Sequence, residues 1–507
     1  MMPLSTAFCT LISAPWRTPV WLLALLLLLA APLAHAQAPA WQEVQAPGGT
    51  GYSEVLATAT DAVGNVYLAG GFRGTVSFGS TTLRSSTNDQ DDVFVAKRSA
   101  ATGAFVWAQQ AGAPGRDYVS GLAVRGNDVF LTGAFSSGQI VFGSTTLFNP
   151  GFNYTLLNFN GFVAKLTDAG TSSSFAWAQG FGGAQGGAVP TGIAVNGPNV
   201  YVAGTFGNPA STFGAFTLQN AVAVGSTDIF LAKLVDAGTS GGFAWATRMG
   251  GTGLDESNAL VSNGTALYLA GHFKSPTATF GPTTLNLTNP YGTVNGDAFV
   301  ARFSDLGTAP HYDWVVQSSS PGAERAVGLA TGPGCVYVAG WFYSGTGNFG
   351  TVAVPSLGAV DGFVGKIVDS GTAGTFAWVR GLGGVLSDDA SAVAVQGSNV
   401  YVGGTFEGPA TFGASTATSQ GQGTLRRGDI FVAKLVDAGT TAQVLWAQTA
   451  GGSASDKVNA LAVVGTRVYA AGSVVPPATF GTRTIAGPTG GGAVGFLASF
   501  TDAVGLA

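Results

Sequence analysis

Short apolar runs broken by turn residues set the pattern of this chain, and no stretch beyond residue 36 carries a convincing helical period. In one typical stretch Ser120–Val124 alternates small and apolar residues, and Arg125-Gly126-Asn127-Asp128 supplies residues that tolerate positive φ. Val129–Phe135 (VFLTGAF) is the next run. A Gly/Ser/Thr-rich connection then carries Ile140–Phe148. Gly161–Leu166 (GFVAKL) follows, then the turn Thr167–Thr171 (TDAGT) and the run Phe175–Gly183. The runs are β-branched or aromatic and are bounded by turn formers, so they predict four antiparallel strands.

This unit repeats seven times. Each repeat has a Trp (Trp41, Trp107, Trp177, Trp245, Trp314, Trp378, Trp446) and a "VY-x-x-G"-like strand around Tyr67, Phe130, Tyr201, Tyr268, Tyr337, Tyr401 or Tyr469. A Phe-Gly pair and an "FVAK"-like strand complete it. A long period of short strands without helical crossovers predicts an all-β, seven-bladed β-propeller of four-stranded antiparallel blades. The strand before "VY" is expected innermost and the Trp strand outermost, with the aromatics packing blade on blade. Trp41–Gly49 (WQEVQAPGG) is a fourth-strand sequence with no blade before it, and the chain ends on a third strand, FLASF, with no Trp strand after it. The N-terminal strand is therefore expected to complete the last blade and close the ring, removing an exposed edge.

The first 36 residues change the compartment. Arg17, the apolar run Val20–Ala31 and Ala34-His35-Ala36 read as a signal peptide cleaved after Ala36, leaving residues 37–507 as a single propeller domain without a transmembrane segment. The expected destination is secreted or surface-exposed, the periplasm included. Charged residues make up only 9% of the chain and the net charge is −5, with no basic run, which argues against nucleic acid. Cys9 lies in the signal segment, so Cys335 stands alone and reads as a partly buried, inert thiol.

The units resemble the glycine-rich bacterial β-propeller repeat family (SBBP repeats), on the strength of GTGLDESNAL, GNVYLAGGF, DIFVAKLVDAG and FAWAQGFGG. The resemblance covers nearly all of the chain after residue 36. It implies a secreted or surface-exposed propeller and transfers no catalytic residue set. Ala96–Trp107 (AKRSAATGAFVW) is also similar to the tryptophan-docking motif of quinoprotein dehydrogenases, which carry pyrroloquinoline quinone and calcium in eight blades. Seven units, no disulfide and "DAGT"-like turns in place of "ATG" favour shared Trp packing over cofactor binding.

Candidate chemistry is sparse. Asp117, Asp255, Glu324, Asp388 and Asp456 recur at the start of the innermost strand and are expected to ring one axial mouth. They read either as a cation or ligand site or as acceptors of backbone N–H bonds, and their repetition favours structure. Asp168, Asp236, Asp305, Asp369 and Asp437 read as Asx-type turns. Asn88–Asp92 is the densest acidic cluster and a candidate calcium site, although it lacks the Gly turn and distal Glu of a known calcium loop. Gly238–Gly242 fits G-x-S-x-G without a following helix. Only His272 and His311 remain after the signal segment, too few for a His-based metal set or triad.

Asymmetry points further. At one slot of the second strand the units carry Gly71, Ala134, Thr205, His272, Trp341, Thr405 and Ser473. The two large residues sit in adjacent blades, with Lys274 and Tyr343 two residues on. His272, Lys274, Trp341 and Tyr343 are expected to line a shallow pocket suited to a sugar or peptide. The sequence thus reads as a non-enzymatic binding or structural module with a glycan or cell-surface protein as partner and no required cofactor. The alternative is a glycan lyase or hydrolase working in the acidic axial mouth.

Overall fold

The computed structural model describes residues 37–502 apart from 153–157, 185–186, 208, 224, 289–295, 344, 422–426 and 488–491. The signal-peptide expectation for residues 1–36 lies outside the described residues, which hold strands and no helix. Asp117–Arg125, Asp128–Phe135, Asn160–Asp168 and Ser173–Phe181 lie side by side as one four-stranded antiparallel sheet. The same order recurs along the chain. We number the sheets one to seven by their first strands: Tyr52–Thr60, Asp117–Arg125, Ala188–Asn196, Asp255–Asn263, Glu324–Gly332, Asp388–Gln396 and Lys457–Val464.

Burial explains what each strand is made of. The first strand of sheet two buries alternate residues at its start, whereas the second and third are buried along almost their whole length. A strand covered on both faces must be apolar throughout, so VFLTGAF and GFVAKL show no alternation. The cover comes from the neighbouring sheets: one apolar cluster joins Tyr67, Val93 and Val95 of sheet one to Val129, Leu131 and Phe162 of sheet two. Gly133 has to be glycine, because a Cβ there would lie 2.1 Å from the Tyr118 carbonyl oxygen and 2.7 Å from the Phe162 ring.

The Gly/Ser/Thr-rich connection is itself a hairpin, Gln139–Phe142 against Thr145–Phe148, turning at Gly143 with φ of 58°. Phe142 packs on Phe162 with ring centroids 4.9 Å apart. The equivalent pairs in the other sheets lie at 4.5 to 5.1 Å. Such a hairpin also reaches the preceding sheet, with Gly250 opposite Thr279 and Gly451 opposite Thr479. The Phe-Gly landmark therefore marks a clasp between sheets.

A polar tie repeats beside the clasps. Lys97 Nζ and Tyr67 Oη of sheet one donate to Asp168 Oδ2 of sheet two at 2.5 and 2.7 Å, and Trp107 Nε1 donates to Oδ1 at 3.0 Å. The Gly170 amide closes the expected Asx turn on Oδ1 at 2.9 Å. Asp236, Asp305 and Asp437 receive the matching Lys and Trp donors, and Asp369 takes Arg302 in place of a lysine.

The first and last described strands meet. Glu43–Gln45 pairs antiparallel with Val494–Thr501 as the fourth strand of sheet seven, and Gly48–Gly49 pairs with Thr75–Phe78 of sheet one. The first strand of each sheet runs beside that of the next, and the first strand of sheet seven beside that of sheet one. An apolar cluster joins Val55, Leu68 and Phe94 to Ala462, Tyr469 and Leu497 across this seam. Here the Lys–Asp tie is replaced on both sides: Ser499 stands at the lysine position and Ala100 at the aspartate position. Arg98 is buried where other units carry Leu166, Leu234 or Leu435, and it pairs with Glu43. Glu43 also receives Arg467 at 2.7 Å. Two cations, one from each flanking sheet, converge on a carboxylate carried by the N-terminal strand.

Candidate functional site

Alternation along the first strands decides which side chains face outward. The leading residue is buried, and the one after it is at least partly exposed: Glu54, Tyr118, Val189, Glu256, Arg325, Asp389 and Lys457. Antiparallel register sets each of these opposite the variable slot of the second strand. Glu256 faces His272, Arg325 faces Trp341, Asp389 faces Thr405 and Lys457 faces Ser473. These outward residues carry both signs of charge.

Two adjoining cavities of about 230 Å³ each open at sheets five to seven and share Trp341, Asp389 and Thr405. Ser391, Lys457 and Asn459 complete one, and Asp388 and Glu407 complete the other. The Arg325 guanidinium lies 5.7 Å from the Trp341 ring centroid and 3.8 Å from the Glu256 carboxylate. Burial pushes the Asp389 carboxyl up to about 6, against the Thr405 backbone N–H and the Lys457 charge that favour its ionised form. A larger cavity of about 500 Å³ lies at sheets three and four, lined by Val189, Thr191, Thr205 and Glu256 among others.

The expected four-residue pocket is not assembled as drawn. Trp341 lines both small cavities, but its companions there are Asp389, Thr405 and Lys457. His272 is buried, neither ring nitrogen has a hydrogen-bond partner, and its Cδ2 packs close to Gly296. Burial, aided by the Arg325 and Lys274 charges, pushes its imidazole down to about 3 and keeps it neutral. Lys274 uses its backbone N–H to cap Asp255 at 3.1 Å, and the Tyr343 side chain stands 49% exposed outside these cavities. The sequence reading missed Glu256, Arg325, Asp389 and Lys457. Their signal is their place directly after the recurring acid, on the opposite face of the strand.

The acidic series takes the second of its two expected roles. Asp117, Asp255, Glu324, Asp388 and Asp456 are all buried and accept hydrogen bonds from neighbouring turns. Asp255 accepts the amides of Gly251, Lys274 and Ser275 and the Ser275 hydroxyl. Asp456 accepts Gly452 and Val475, and Asp388 accepts Gly384 and Glu407. Burial pushes the carboxyls of Asp117, Asp388 and Asp456 up to about 7 and that of Glu324 up to about 8.

The remaining motifs settle into structure. In the Asn88–Asp92 cluster, Asp91 pairs with Arg73 at 2.5 Å and Asp92 accepts the amide and hydroxyl of Ser86. Gly238 turns at φ 90° on Asp236, and no helix follows. The Cys335 thiol is buried and burial pushes it up, as expected of an inert side chain. No group of three or more His, Cys, Asp or Glu arranged to hold a metal ion occurs among the described residues.

No known protein family and no curated protein matches this chain. Among solved structures it is similar to a Bacteroides fragilis protein assigned as a 6-phosphogluconolactonase, with a TM-score of 0.42 and 10% identity over 83% of this chain and 96% of that one. A likeness of that size says nothing about activity.

Proposed function

We propose that the seven sheets close into one β-propeller of a secreted or surface-exposed protein, and that its axial mouth at sheets five to seven is a binding site for a glycan or a cell-surface peptide. The paired ends, the shared apolar cluster and the Glu43 bridge support closure. The observation that carries the binding reading is Trp341. It is a partly exposed aromatic face shared by two cavities, with Asp389 and Lys457 beside it to offer hydrogen bonds. Sugars and extended peptides present the matching mixture of apolar faces and polar edges. The resemblance to SBBP repeats agrees with a module that binds rather than catalyses.

A second reading rests on Asp389. A carboxyl held near 6 in a cleft has the protonation behaviour of a general acid, which would suit a glycan lyase or hydrolase. A glycan-array screen of the mature protein, with each hit incubated and its products resolved, tests both. Retention of intact ligand supports the binding module, cleavage of a bound glycan supports the enzyme, and an array without hits removes the glycan reading.

A further inference from the structure

We propose that three sheet-to-sheet junctions are calcium sites, built on the carboxylate pairs Asp297/Glu324, Asp361/Asp388 and Asp429/Asp456. In each pair the first member lies at the start of the third strand of one sheet and the second at the head of the first strand of the next, or, for Asp456, one residue before it. All six side chains are buried, and none makes an ion pair among the described residues. Two buried carboxylates without a counter-charge cost several kcal/mol per ion, so each pair has to take up either a proton or a cation.

Independent of their acidity, these pairs contain oxygens with nothing to bond. Asp297 Oδ1, Asp361 Oδ1, Asp429 Oδ1 and Glu324 Oε1 are buried and have no hydrogen-bond partner. At sheets six and seven the placement is visible through a glycine. A Cβ on Gly451 would lie 2.6 Å from Asp429 Oδ1 and 2.9 Å from Asp456 Oδ2, so the two carboxylates converge beside the Gly451 Cα. Oxygens that converge in this way can share one ion, seated clear of the Cα, at the ~2.3–2.6 Å of a calcium–oxygen bond. The donors are hard oxygens with no Cys or His among them, which selects calcium over zinc. Hydroxyl, carbonyl and water oxygens are the usual remaining ligands of such an ion.

The other junctions act as internal controls. Asp228 and Asp255 form the same pair, with Asp228 Oδ1 likewise without a partner and the same approach to a Cβ on Gly250 (2.4 and 2.8 Å), and there Arg248 donates to Asp228 Oδ2 at 2.7 Å, so the chain supplies a cation of its own. At the Asp92/Asp117 junction Ser86 occupies both oxygens of Asp92. At the remaining two junctions both acids are absent together: Asn160 stands with Ala188, and Val494 with Ser53. No junction keeps one acid and loses the other. Independent turn caps would not be lost in pairs, whereas two ligands of one ion would.

The test uses mature protein stripped with EGTA, desalted and titrated with calcium chloride in a calorimeter near neutral pH, with Tm read in EGTA and in calcium. The expected result is three ions per chain and a Tm raised by calcium. Asp429→Asn should remove one ion from the count, and Asp228→Asn should leave the count unchanged. Should Asp429→Asn fail to fold, the wild-type count and the calcium-dependent Tm decide. Absence of calcium binding overturns the proposal, as does a count indifferent to Asp429→Asn. A Tm indifferent to calcium that falls as pH rises through neutrality overturns it too, because it assigns the compensating charge to a shared proton.

Discussion

Replacing Asp168 with alanine removes the acceptor that ties sheet one to sheet two. Lys97, whose side chain is 8% exposed, would be left as a buried cation without its carboxylate and the Trp107 N–H would lose its acceptor, while the Tyr67 hydroxyl keeps Asp61 Oδ2 at 3.2 Å. Breaking a buried pair on one side costs about 3–5 kcal/mol. The orphaned Trp107 donor adds about 1–3 kcal/mol, less whatever entering water recovers. The expected loss is about 5 kcal/mol, read as a lower guanidinium midpoint at unchanged m value by tryptophan fluorescence. The double variant Lys97→Met/Asp168→Leu removes both charges and should regain about half of that loss, since an apolar pair can replace a buried ion pair. The chain already makes such a joint replacement at Ser499 and Ala100. A loss below about 1 kcal/mol for Asp168→Ala, or a double variant as unstable as the single one, would refute the tie as a stabilising element.

Other consequences are as direct. Deleting residues 37–50 removes the fourth strand of sheet seven and the Glu43 bridge, so Tm should fall sharply and the exposed edge should promote association; an unchanged melting curve and a monomeric profile would contradict closure. Trp245→Ala empties a buried site and should cost about 3–5 kcal/mol by denaturant titration, while pyrroloquinoline quinone with calcium should support no dye-linked alcohol oxidation. Stability should also fall in acid. Burial alone would raise the Asp236 carboxyl, but hydrogen bonds from Lys165, Arg125 and Trp177 outweigh it and hold it at about 2. Asp168, Asp305, Asp369 and Asp437 are lowered in the same sense. A folded value below the unfolded one stabilises fully above about pH 4, and that contribution is lost as pH falls toward about 2, so thermal scans over this range should show a descending Tm.

The strand order, the sheet boundaries and the pairing of the ends were legible because turn residues and apolar runs recur with one period. The aspartates of the DAGT turns were legible as turns but not as ties, since their Lys and Tyr donors lie in the preceding sheet, about 70 to 100 residues away in sequence. The candidate site was legible only in part. Trp341 announced itself by size at a slot otherwise small. His272 did the same and proved buried, because size at a slot does not tell which neighbour covers it. The outward charges Arg325, Asp389 and Lys457 differ from unit to unit and so escaped a search for recurring residues.

The proposed binding role of the cavities at sheets five to seven is tested most directly by calorimetric titration of wild type and Trp341→Ala with the strongest array ligand. Trp341 lines both cavities, apart from the Tyr337–Trp378 ring pair inside its own sheet. The variant should therefore keep its Tm and lose binding by at least about tenfold, the equivalent of ~1.4 kcal/mol. Equal affinities for the two proteins would place the ligand elsewhere and contradict it.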